Sequence, residues 1–146
     1  MGTRTIAIDA ATVMAGGMAG TLLREAVVLG LPRWEGIGLP LLVVNVLGSA
    51  CLGLVVSALP AAWRRTRLLL GTGLIGGFTS YSAFALDLGH LLAEGRWPAM
   101  IGYAAVSVLG GLAAAAAGIA LGARPSRGDG GAGDGRPAAG SDGDRS

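Results

Sequence analysis

The chain has no lysine, one cysteine and one histidine in 146 residues, and only 5% of its residues are aromatic. A single cysteine, Cys51, excludes an internal disulfide framework and any multi-cysteine metal site; it reads as a small packed hydrophobe. The single His90 excludes a histidine cluster and reads as a helix-end residue near an interface. Charge is scarce as well. Charged residues make up 14% of the chain, against about 25% in ordinary soluble domains. Eight of them, four Arg and four Asp, fall between Arg124 and Ser146, which leaves twelve in the first 123 residues. The net charge of +2 comes from scattered arginines, which excludes the basic stripe of a nucleic-acid binder. There is also no nucleophile with a histidine base, no zinc-binding histidine pair and no phosphate loop with its lysine, so the sequence reads as a non-enzyme.

What is present is apolar residue and glycine. Hydrophobic residues make up 52% of the chain, and 27 residues are glycine; mean hydropathy is +0.62. Four apolar stretches run from about Ile6 to Leu31, Ile37 to Leu59, Leu68 to Leu92 and Pro98 to Leu121. Each exceeds the ~20 residues that cross a hydrocarbon core as a helix, and none shows the ~10-residue alternation of a barrel strand. The predicted fold is therefore all-α and integral to a membrane, with four transmembrane helices. The connections hold Pro32, Pro60, Gly95 and all three tryptophans, Trp34, Trp63 and Trp97, as an interfacial belt requires. Asp9 interrupts the first stretch too early for a signal peptide, so that stretch is read as a retained helix. Residues 1–123 form the predicted membrane domain. Residues 124–146, rich in Gly, Asp, Arg, Ser, Pro and Ala, are expected to be a disordered polar tail.

Polar residues inside spans are costly and therefore informative. Asn45 lies mid-way along the second stretch and reads either as an interhelical hydrogen bond or as a donor lining an ion or solute path. The segment Gly71–Phe84 holds four glycines and four Ser or Thr hydroxyls. A helix there is weak, and a break is expected near Gly76-Gly77, which frees carbonyls that suit a hard cation; a plain glycine kink is the other reading. Tyr81 and Phe84 share one helix face, and Tyr103 and Ser107 share another, as core packing or as an anion-accepting aromatic edge. Arg24 reads as a snorkelling cation or as the positive charge of a vestibule, with Asp87 as a partner for it or for a hydroxyl network. Gly16-Gly17-Met18-Ala19-Gly20 reads as a close helix-packing surface.

Three of these pieces resemble the Fluc (CrcB) fluoride channel family: Gly20-Thr21-Leu22-Leu23-Arg24, Asn45 within Val43–Gly48, and Gly73-Leu74-Ile75-Gly76-Gly77-Phe78-Thr79-Ser80-Tyr81-Ser82-Ala83-Phe84. The third is similar to the family signature Gly-Gly-x-Thr-Thr-Phe-Ser-Thr-Phe, and Glu94-Gly95-Arg96 follows it. The likeness covers about residues 12–122 and departs from the signature at Ser80, Tyr81 and Ala83. It implies an antiparallel dual-topology dimer that conducts fluoride passively and lowers its cytoplasmic concentration, in a plasma (inner) membrane. It implies a structural Na⁺ held at the dimer centre by carbonyls of Gly76 and Thr79. It further implies a fluoride path along Asn45, Tyr81, Phe84, Tyr103 and Ser107.

Two other functions fit a small four-helix membrane chain: a dual-topology drug or cation exporter, and a non-transporting scaffold. An exporter needs an intramembrane carboxylate for proton coupling, and only Glu25 and Asp87 are candidates. The arginines also bear on the partner. With four spans, Arg4, Arg64, Arg65, Arg67, Arg124 and Arg127 share one side, and Arg33 and Arg96 take the other. That asymmetry favours one orientation with both termini in the cytoplasm. The dimer is then either a homodimer or a heterodimer with a paralogous subunit of opposite bias.

Overall fold

A computed structural model describes residues 2–32 and 38–123. The expectations for Arg33 and Trp34, and for the tail from Arg124 onward including Arg127, lie outside the described residues.

Among the described residues, every regular element is helical. Helix α1 spans Thr3–Gly30 and α2 spans Leu39–Ala58. The next span, Arg64–Ala93, is composite. It opens with α3 (Arg64–Arg67), continues as a π-helix over Leu68–Ile75 and tightens into α4 (Gly76–Phe78). Helix α5 (Tyr81–Ala93) completes it, and α6 spans Trp97–Gly122. These make four spans long and apolar enough to cross a membrane; even the 20 residues of α2 reach about 30 Å. Apolar side chains surround the helices instead of forming one stripe, and large ones such as Leu29 and Leu121 are each 83% exposed on the single chain. A surface of that kind belongs against lipid or another apolar chain.

The turns follow from local chemistry. Pro40 and Pro98 stand in the first turns of α2 and α6, where a missing N–H costs nothing. Gly95 adopts φ +70° after α5. The Gly95 N–H donates to Leu92 O and the Arg96 N–H to Leu91 O, which closes the helix end as a Schellman motif. Trp63 and Trp97 flank connections on opposite ends of the bundle, each 57% exposed.

Glycine sets the packing. The spans pair as α1 with the π-helix and α4, and as α2 with α6. A Cβ on Gly16 or Gly20 meets backbone of the third span at Leu69 and Leu74, and Gly77 is closed against the backbone of Gly17. Gly53 and Gly118 close the α2–α6 seam in the same way, against Ala115 and Ala50. In lipid there is no hydrophobic drive between helices, so such backbone approach supplies the contact. The close-packing expectation for Gly16–Gly20 thus holds. Cys51, expected to pack inside, is exposed on the single chain, because α2 turns Gly53 rather than Cys51 toward α6. Asp9 is paired with Arg64 (Oδ2 to Nη1, 2.5 Å), which ties the first turns of α1 to the start of α3.

Candidate functional site

The site forms where the third span loses its helical course. Gly76 and Gly77 are helical; the extended residues are Thr79 (φ −78°, ψ 154°) and Ser80 (φ −146°, ψ 111°). Asn45, on α2, holds this point in two directions. Its Oδ1 accepts the Ser80 N–H at 3.0 Å, and its Nδ2 donates to Ser80 O at 3.4 Å. The Ser80 hydroxyl then caps α5 by accepting the Ala83 N–H at 3.2 Å. The Thr79 hydroxyl donates back to Ile75 O at 3.0 Å, and the Thr21 hydroxyl of α1 donates to Gly77 O at 3.5 Å.

These bonds redirect donors. In a continuous helix the N–H groups of Ser80 and Ala83 serve the carbonyls of Gly76 and Thr79. Here the first goes to Asn45 and the second to the Ser80 hydroxyl. The carbonyls of Gly76 and Thr79 therefore lack those N–H partners, and the Thr79 carbonyl lies just ahead of α5.

An open cavity of about 380 Å³ lies against this point. Asn45, Ser49, Thr79, Ser80, Tyr81, Phe84 and Ser107 line it, together with Gly76. Tyr81 is 81% exposed on the single chain. The Ser107 hydroxyl oxygen is buried and has no hydrogen-bond partner among the described residues. The Ser49 hydroxyl donates to Asn45 O at 2.8 Å. Polar groups thus converge at mid-span on a surface that opens outward from the chain.

Of the residues singled out from the sequence, Asn45, Gly76, Thr79, Tyr81, Phe84 and Ser107 meet at this cavity. Tyr103 does not line it. Its ring lies 5.6 Å from that of Phe84, which is in turn 6.2 Å from Tyr81, so three rings run in series away from the cavity. The Tyr103 hydroxyl is buried and lies 3.3 Å from both Gly38 O and Asp87 Oδ2. Asp87 accordingly joins a hydroxyl network. Arg24 lies elsewhere, in a second cavity of about 420 Å³ with Glu25, Ser82 and Asp87. Its Nε is 3.4 Å from Glu25 Oε1. Ser80 lines both cavities, so the extended turn is the partition between them. Sequence reasoning passed over Ser49, although it stands one helical turn from Asn45 on the same face.

The chain matches the family described as CrcB-like protein, Camphor Resistance (CrcB), over residues 11–119. That match holds every residue lining the two cavities. The chain belongs to the CrcB family. Proteins similar to this chain carry a functional name. The fluoride-specific ion channel FluC of Deinococcus radiodurans is 43% identical over 114 residues, covering 75% of this chain and 90% of that one. The fluoride-specific ion channel FluC 2 of Leifsonia xyli subsp. xyli is 41% identical over 117 residues, 76% of this chain and 81% of its own. The fluoride-specific ion channel FluC of Pseudomonas putida is 41% identical over 118 residues, covering 76% and 94%. Four apolar spans in a CrcB-family chain make this a multi-pass membrane protein.

Proposed function

We propose that this chain is a subunit of a fluoride-specific channel of a plasma (inner) membrane, which lets fluoride leave the cytoplasm passively. The observation that carries the reading is the likeness at 41–43% identity to proteins named as such channels. The geometry supports it. Fluoride is small and strongly hydrated, so a path through the membrane must replace its water. Asn45 keeps one amide N–H beyond the bond to Ser80 O. Ser107 brings an unpartnered hydroxyl, and Tyr81 and Phe84 bring positively polarised ring edges. These are neutral donors, which strip hydration without trapping the ion. Arg24 stands across the partition as the cation of the vestibule, with Glu25 and Asp87 beside it. A membrane potential negative inside drives an anion outward by roughly 2.3 kcal/mol per 100 mV.

The reading includes a second copy or a paralogous subunit in antiparallel, dual-topology arrangement. Polar groups facing outward at mid-span are not tolerated against lipid, and a partner supplies the missing wall. It also includes a third span that works as two half-helices, and a structural Na⁺. The carbonyls of Gly76 and Thr79 fit such an ion, being hard oxygen donors deprived of their helical N–H partners. Together with the partner's carbonyls they would hold it, and the ion would supply fixed positive charge at the centre of the assembly. The arginine asymmetry favours a partner of opposite insertion bias; Asp9–Arg64 supports placing Arg4 and the α2–α3 arginines on one side.

Fluoride efflux from liposomes tests the function. The channel gives fast fluoride loss that is independent of a proton gradient. Proton-coupled movement of organic cations would point to an exporter, and neither activity to a scaffold. Fluoride loss at the protein-free rate from a correctly assembled dimer would sink the proposal. Topology reporters on the C-terminus test the partner: one dominant orientation is expected, and equal signals from both sides would leave the homodimer.

A further inference from the structure

Next to the first cavity, toward the C-terminal end of α2, a groove opens that shares Leu52 and Gly71 with it and has residues of its own from Val55 to Arg67 that the fluoride reading leaves unused. It has a volume of about 500 Å³, within the ~300–1,000 Å³ range of ligand clefts. Its walls are mostly apolar: Leu52, Val55 and Val56 from α2 face Leu68 and Gly71 from the π-helix, with the Thr72 hydroxyl as the polar exception. Arg64 and Arg67 stand at its interfacial end. The Arg67 Nη2 donates to Val56 O at 3.4 Å, an end carbonyl of α2 left without an intrahelical donor. The guanidinium is thereby held at the lip of the groove, with further N–H donors to offer. Arg64 is held from the other side by Asp9 of α1. Asp9 is the one acidic group facing these arginines among the described residues; α2 carries no charge, and no acidic residue lies between Gly38 and Leu86. With the Arg64 charge offset by Asp9, Arg67 supplies the net positive charge at the headgroup level, above a largely apolar slot that runs toward mid-membrane.

We infer that this groove binds an anionic glycerophospholipid, with its phosphodiester on Arg67 and Arg64 and one acyl chain between α2 and the π-helix. Headgroup and chain fit together: the arginines favour a phosphodiester that no choline ammonium neutralises, and the slot takes the hydrocarbon. A free phosphate uses only the first half. The site does not rest on fluoride conduction and its test needs no fluoride.

The full chain, solubilised from bilayers holding equal phosphatidylglycerol and phosphatidylcholine of the same acyl composition, is assayed for co-purifying lipid by native mass spectrometry. Phosphatidylglycerol is expected to be retained over phosphatidylcholine by roughly fivefold or more, the worth of one well-placed cation. Arg67→Gln should remove that preference. Because Arg67 also caps α2, Ala61→Glu provides the independent variant: Ala61 is an exposed connection residue lining the groove, and a carboxylate there should repel the headgroup with no bond lost. Arg65→Gln removes an equal charge from outside the groove and should leave the preference intact. Equal retention of the two lipids overturns the proposal. So does an equal loss in Arg65→Gln, which means diffuse leaflet charge, and so does displacement by millimolar inorganic phosphate. A cross-link placing a second copy of the chain at Ala61 overturns it as well.

Discussion

Helix α2 makes two seams of opposite character. Toward α6 it presents Ala50, Gly53 and Ser57, and the two backbones approach so closely that the seam has no room for a Cβ at Gly53 or Gly118. The polar group there, Ser57, donates back to Gly53 O of its own helix at 2.8 Å. Toward the third span it presents Asn45 and Ser49, and the seam opens into a polar-lined cavity. One seam is closed by the absence of side chains, and the other is held apart by an amide. The lesson is physical: small residues supply cohesion in lipid, whereas a polar residue at depth redirects backbone hydrogen bonds and creates an opening.

The largest effect is expected from breaking the closed seam. Gly118→Leu drives a side chain into the backbone of Ala50. Overpacking costs about 1–3 kcal/mol and occasionally more, and a backbone contact with no flexible side chain to give way puts this site at the upper end. We expect loss of monodisperse protein in detergent and a large drop in thermal unfolding temperature. A variant as stable as the parent would show that the seam can open.

Asn45→Ala attacks the other seam and should act on both stability and flux. It leaves the Ser80 N–H and C=O without their partners, at about 1–3 kcal/mol for an unsatisfied buried group. In the proposed pore it also removes a donor, so fluoride flux should fall at least about tenfold, equivalent to about 1.4 kcal/mol of barrier. Liposome efflux beside thermal unfolding separates the two contributions. Reduced stability with undiminished flux would leave Asn45 as a clamp on the backbone alone.

Ser80→Ala is smaller. It deletes the cap of α5 and its contact with the Ser82 hydroxyl at 3.3 Å. A lost N-cap costs about 1 kcal/mol, and unfolding measurements should register that amount. No loss would mean that Asn45 alone fixes the turn.

The contrast between the seams explains what the sequence reveals. Length and hydropathy suffice for four spans, and glycine at close spacing suffices for the packed seams, because these depend on composition along one helix. The site residues from Asn45 to Ser107 are legible as polar groups in costly places. The location of the turn is not. Gly76-Gly77 attracts an expected break because glycine weakens helices, but Gly77 is occupied in packing on Gly17. The extended residues follow at Thr79 and Ser80, where Asn45, 35 residues earlier in the chain, satisfies the backbone. The π-helix over Leu68–Ile75 is equally silent, since eight residues broken only by Gly71-Thr72-Gly73 have no period from which to read its pitch. Pairings such as Asp9 with Arg64 and Asp87 with Tyr103 join distant positions, and only the fold brings them together.

The smallest expected effect sharpens the comparison most, because it alters the open seam without disturbing the backbone. Tyr81 is 81% exposed on the single chain and carries a hydroxyl at a position where the family signature has Phe. Its ring lies 6.2 Å from Phe84, and Tyr81→Phe keeps that contact. A surface change that preserves shape shifts stability by no more than about 0.5 kcal/mol. In the proposed pore the ring edge meets the anion, and the hydroxyl adds a group that the partner subunit must accommodate. Flux should therefore hold or rise in Tyr81→Phe with unfolding unchanged. A less stable variant with no gain in flux would assign the hydroxyl to a buried bond across the dimer. Tyr81 would then belong to the interface, and the ion path would run along Phe84 and Ser107.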